Sequence, residues 1–106
     1  MSEIPNLDYI KELSAGDEMF EKKFITIIKD EFPREKETYL ENLKNERYRE
    51  TMDIVHKIKH KINILGLQNG YRLAVRYEEE LRYGNPRLQS DFLEILETME
   101  TYIKTL

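Results

Sequence analysis

The chain has no cysteine, only three prolines and four glycines, and no long apolar run. Without cysteine, a disulfide framework, a zinc ribbon and thiol chemistry are excluded. So little turn material in 106 residues favours helix. No apolar segment approaches the roughly 20 residues that a bilayer-spanning helix requires. The opening stretch MSEIPNLDYI lacks a basic region followed by an apolar run, so a secretory signal is not expected and a cytoplasmic protein is. Polar and apolar residues nowhere alternate with period two over a useful length, which argues against a sheet. An excess of positive charge is also missing. At a net charge of −4, nucleic acid is not expected as the main partner, because phosphate neutralisation needs a basic surface or patch.

What is present is a helix-forming mixture, 40% apolar and 36% charged, of a length typical of one domain. Such a chain can bury a core without staples. Asn6 can cap a short helix reaching about Leu13. Ser14 and Asp17 have the spacing of a capping box, with Asp in place of the usual Glu. Phe20, Phe24, Ile27 and Ile28 form one stripe, and Pro33 predicts a stop at Phe32 and a new helix carrying Tyr39, Leu40 and Leu43. A turn is expected near Asn45, followed by a helix from about Arg47 to Leu65 with Gly66 as its left-handed stop. Leu67, Tyr71, Ala74, Glu78 and Leu81 keep a helical period as far as Tyr83, before Gly84. Asn85 and Pro86 read as the cap and first turn of a last helix, whose stripe is Phe92, Leu96, Met99, Ile103 and Leu106. Short connections between such helices predict an all-α, up-and-down antiparallel four-helix bundle, with one or two further N-terminal helices across one end.

The two histidines lie in MDIVHKIKHKINILGLQNG, residues 52–70, a basic segment of an acidic protein. At 100° per residue, Val55, Ile58, Ile62 and Leu65 share the core-facing quadrant. His56, Lys59, His60 and Asn63 fall on a polar face, with Met52 one turn before His56. Three readings follow. Both rings can simply be solvated among lysines. They can hold a metal at i and i+4, although a helical pair supplies only two ligands, the lysines repel a cation and Asp53 is a poor third ligand. Or His56 can accept a phosphoryl group, with Lys59 one turn away as a cation and a rigid helix as scaffold. An exposed Lys59 is expected to contribute little to stability. The basic run HKIKHK, set against acidic DYIKELSAGDEMFE and YEEEL, suggests docking to a protein surface of opposite sign.

The segment HKIKHKINILG resembles the signature of histidine-containing phosphotransfer (HPt) domains: a His, a Lys three on, then an apolar residue and a Gly ten after the His. LSAGDEMFEKKFITIIKDEFP is similar to the family's Gly-Asp-x-x-Phe helix ending at a proline, and YRLAVRYEEELRYGN to its post-histidine helix. The resemblance covers roughly residues 10–105. It implies a phosphocarrier of a bacterial-type multistep phosphorelay rather than a stand-alone enzyme. His56 matches the phosphoacceptor, normally modified at Nε2, Lys59 the lysine that neutralises the phosphoryl group, and Gly66 the glycine closing the histidine helix. The implied partners are response-regulator receiver domains, whose Asp and Mg²⁺ supply the catalysis, and a hybrid histidine kinase. No cofactor is implied in this chain, which is expected to act as a monomer. Met52, Lys57, His60 and Asn63 would form the docking surface. His60 departs from the family, which has a small residue there.

Other classes fare worse. A histidine kinase needs a Gly-rich or Asn-bearing nucleotide segment that the chain lacks, and Lys57 stands where kinase dimerisation helices carry an acid. The three glutamates at 78–80 read as a solvated helix face, not a carboxylate pair for hydrolysis. Tyr71 and Tyr77 are candidates for the surface near His56, although most of the tyrosines are expected to pack. The competing reading is a non-catalytic helical adaptor, a degenerate HPt-like module that binds a receiver or kinase without being phosphorylated.

Overall fold

A computed structural model describes residues 3–106, which form five helices and, among the described residues, no strand. They are α1 (Asp8–Ser14), α2 (Glu18–Lys44), α3 (Tyr48–Ile64), α4 (Gln68–Arg82) and α5 (Gln89–Ile103). The four longer helices touch in a closed cycle: α2 meets α3, α3 meets α4, α4 meets α5, and α5 returns to α2. The short α1 packs on α2. The molecule measures 43 × 27 × 20 Å, and its long axis suits the 27 residues of α2 at 1.5 Å per residue. Among the described residues, no helix is long and apolar enough to cross a membrane.

The apolar stripes of α3 and α5 became the core, whereas Phe20, Ile27 and Leu40 of the α2 stripes are exposed and only Ile28 and Tyr39 of those named there are fully buried. Val55, Ile58 and Ile62 of α3 are fully buried, as are Phe92, Leu96 and Met99 of α5. Burying side chains of this size contributes about 1.5–3 kcal/mol each. At the centre the rings of Tyr39, Tyr77 and Phe92 meet in pairs at centroid distances of 5.1–6.2 Å, tying α2, α4 and α5 together. The hydroxyls of Tyr39 and Tyr77 lie 2.7 Å apart and satisfy one another. Tyr77 is therefore a core residue, not part of the surface near His56.

Three local expectations are corrected. Pro33 does not end a helix; it sits inside α2. Ile28, Phe32 and Tyr39 are buried on one face on both sides of it, and that continuous burial outweighs the missing N–H. Arg34 helps locally, its Nε donating to the Asp30 carbonyl at 3.3 Å while its guanidinium pairs with the Asp30 carboxylate. Ser14 is not a cap: its hydroxyl donates to the Ile10 carbonyl, and Asp17 caps α2 by accepting from the N–H groups of Met19 and Phe20. The last helix starts later than Asn85-Pro86 suggests, at Gln89. Asn85 accepts from the Arg87 N–H in a turn of its own.

One tertiary cap had no sequence signal. The N-terminal residue of α4 is preceded by Leu67, which offers no side-chain acceptor. The Glu3 carboxylate comes from 66 residues away to accept from the N–H groups of Asn69 and Gly70, at 2.9 and 3.0 Å. Asn6 continues this strap, donating its backbone N–H to the Leu65 carbonyl at 2.9 Å. Gly66, at φ +79°, lies directly beneath it.

Candidate functional site

His56 projects from the middle of α3, its side chain 56% exposed, and the site is completed by α4. Glu78 of α4 reaches across so that Oε1 lies 2.8 Å from His56 Nδ1. An ionised carboxylate can only accept, so this contact places the imidazole proton on Nδ1. In the neutral ring Nε2 then carries the lone pair, and no hydrogen-bond partner holds it among the described residues. A carboxylate that fixes both the tautomer and the ring plane is the arrangement that makes a histidine a directed nucleophile or ligand.

The same carboxylate binds Lys59. Its Nζ donates to Glu78 Oε2 at 3.1 Å and lies 5.9 Å from the centroid of the Tyr71 ring. Lys59 is only 11% exposed and Glu78 only 16%. Two expectations are overturned here. Lys59 is not an exposed lysine of the polar face, and Glu78 is not part of a solvated face. The helical count placed Lys59 on the polar face, but in the fold Glu78 of α4 lies over it. Glu78 shares the period of Leu67, Ala74 and Leu81, which turns it toward α3. Its neighbours divide: Glu79 is exposed, whereas Glu80 pairs with Arg87 at 2.6 Å.

The basic character of HKIKHK is likewise mostly cancelled inside the fold. Lys61 is buried on the α2 side, where its Nζ donates to Glu31 at 2.8 Å and to Glu35 at 3.1 Å. The bond to Lys61 holds the Glu31 carboxyl below its ordinary value. Lys57 is exposed but lines a cleft with Glu31, Glu35 and Thr38 on that same side, not the face of His56. Of the three lysines, none thus presents a free cation beside His56.

The remaining residues singled out from the sequence fall along α3. His60 is exposed, one turn beyond His56, and its ring stands perpendicular to the His56 ring, at 89° with centroids 4.9 Å apart. Asn63 is exposed a further turn along, and Met52 is half-buried at the opposite end, in a cleft with Tyr48, Leu81 and Arg82. Among the described residues, no cluster of three or more His, Asp or Glu side chains could hold a metal ion. Sequence reasoning missed Glu78. The signal available was a charged residue at a core-facing position of an otherwise apolar period, which asks for a buried partner.

Compared with family models, with curated proteins and with solved structures, the chain gives no match.

Proposed function

We propose that the chain is a histidine phosphotransfer module, a phosphocarrier between response-regulator receiver domains in a multistep phosphorelay. The observation that carries this reading is the His56–Glu78 contact on an exposed helix face, with Nε2 open. In the transfer, the Nε2 lone pair attacks phosphorus and the P–O bond to the receiver's aspartate breaks. The aspartate leaves as a carboxylate with the bonding pair. The ring keeps its Nδ1 proton and takes up positive charge as the N–P bond forms, and the Glu78 carboxylate opposite that proton offsets it. Lys59, bound to Glu78, acts in this arrangement by positioning the carboxylate. Neutralising the phosphoryl oxygens, the role that the resemblance gives it, would use the N–H donors of its ammonium that Glu78 does not take. Mg²⁺ belongs to the receiver.

The reading includes the arrangement of the bundle: α2 to α5 run up and down, antiparallel, with α1 against α2. The closed cycle of helix contacts and the connections of three to six residues support it. Met52, His60 and Asn63 flank His56 and form the docking face. A monomer in the cytoplasm, partnered also by a hybrid kinase, completes the proposal.

The test is incubation with phosphorylated receivers of the source organism. Label should move to this protein, be acid-labile and alkali-stable, and be absent from His56→Gln. If the folded wild-type protein stays unlabelled with every receiver, phosphotransfer is wrong. The perpendicular His60 ring crowding His56 favours one second reading, an adaptor that binds receivers without being phosphorylated. Receiver binding that survives His56→Gln with no labelling of wild type would establish it.

A further inference from the structure

The geometry points to a transition-metal site at His56 and His60, which takes Zn²⁺ on the two ring nitrogens and leaves the remaining positions to water. An ion about 2.1 Å from a ligating nitrogen lies about 3.2 Å from that ring's centroid. Ligand angles between 90° and 110° therefore separate two such centroids by about 4.5–5.2 Å. The rings of His56 and His60 stand 4.9 Å apart. Histidines at i and i+4 on one helix face are a recurrent zinc-binding pair.

A second observation is independent of that distance. Metal-ligating histidines commonly donate their other ring N–H to a carboxylate, which fixes the tautomer and raises the basicity of the ligating nitrogen. Glu78 makes this bond to His56 Nδ1 at 2.8 Å and leaves Nε2 for the ion. The sequence objection that neighbouring lysines repel a cation does not hold in the fold. Lys59 is neutralised by Glu78, and Lys57 lies on the side of Glu31 and Glu35. With only two protein ligands the site is open and exchangeable, unlike a closed structural zinc site.

The consequence for activity rests on the phosphotransfer reading: one Nε2 lone pair cannot bond zinc and phosphorus at once, so bound Zn²⁺ blocks acceptance of phosphate. The site itself is tested without any receiver, by titrating the whole protein with Zn²⁺ in a calorimeter and following the ring ¹⁵N resonances by NMR. One equivalent should bind, with both His56 and His60 shifted, and saturation should be lost in His60→Ala and in His56→Gln. Glu78→Gln should weaken binding about 10-fold. Mg²⁺, which prefers oxygen ligands, should not compete. Binding that is unchanged in His60→Ala, or that shifts one ring only, would overturn the site. Because these readouts need no phosphoryl donor, loss of the zinc site and loss of the phosphotransfer reading are separate results.

Discussion

Glu78 joins an exposed histidine to a buried lysine, and the two partners should respond differently to removal. Lys59→Met keeps the aliphatic stem but removes the ammonium, leaving the mostly buried carboxylate with His56 alone. Removing one partner of such a pair costs more than the pair contributes, because the other charge stays desolvated. The expected loss is about 1–3 kcal/mol in urea unfolding. His56→Gln, at a position more than half exposed, should change stability by less than about 0.5 kcal/mol. Equal unfolding midpoints for Lys59→Met and wild type would show that the ion pair contributes nothing. The sequence suggested that Lys59 contributes little to stability, since periodicity along one helix does not reveal which neighbour will lie over it. His56 and its exposure were readable from α3 alone. The orienting Glu78 was not, because it belongs to a contact across 22 residues.

At the level of elements, the stop of α3 combines a backbone requirement with a steric one. Gly66 has φ +79°, and a Cβ built there would come within 2.6 Å of the Asn6 side-chain nitrogen. Asn6 cannot move freely, because its Oδ1 accepts from the Asp8 N–H at the start of α1. Gly66→Ala should therefore cost about 1–2 kcal/mol, from left-handed strain together with displacement of the strap. Gly16→Ala carries the strain alone, since at φ +88° nothing lies within 4 Å of its Cβ, and it should cost less. Thermal melts of both variants, and of Gly66→Ala with Asn6→Ala, decide the matter. If both glycines cost the same, the close approach contributes nothing. The glycine stops and the apolar stripes of α3 and α5 were visible because their causes are local. Pro33 was misread because its local penalty is outweighed by burial of Phe32 and Tyr39 against other helices. The Glu3 cap on α4 was unreadable for the same reason, its partners being 66 and 67 residues away.

For the molecule as a whole, the knot of Tyr39, Tyr77 and Phe92 connects three helices and gives stability a dependence on alkaline pH. Burial, reinforced by the bond to Tyr77, pushes the Tyr39 phenol well above its ordinary value, and burial raises Tyr77 as well. A phenol raised in the folded state contributes stability in full below its unfolded value of about 10. That stability is lost as pH rises from there through the folded value, because the unfolded chain ionises while the folded one holds its proton. The urea midpoint should therefore fall above about pH 10, and less steeply in the Tyr39→Phe/Tyr77→Phe double variant. The hydroxyl pair also predicts non-additivity at neutral pH. Either single Phe substitution strands the other buried hydroxyl, at a cost of about 1–3 kcal/mol, whereas removing both strands neither. The double variant should thus be destabilised by clearly less than the sum of the singles. Strict additivity would mean that the two hydroxyls, 2.7 Å apart, are not each other's partners and that the core is held by ring packing alone.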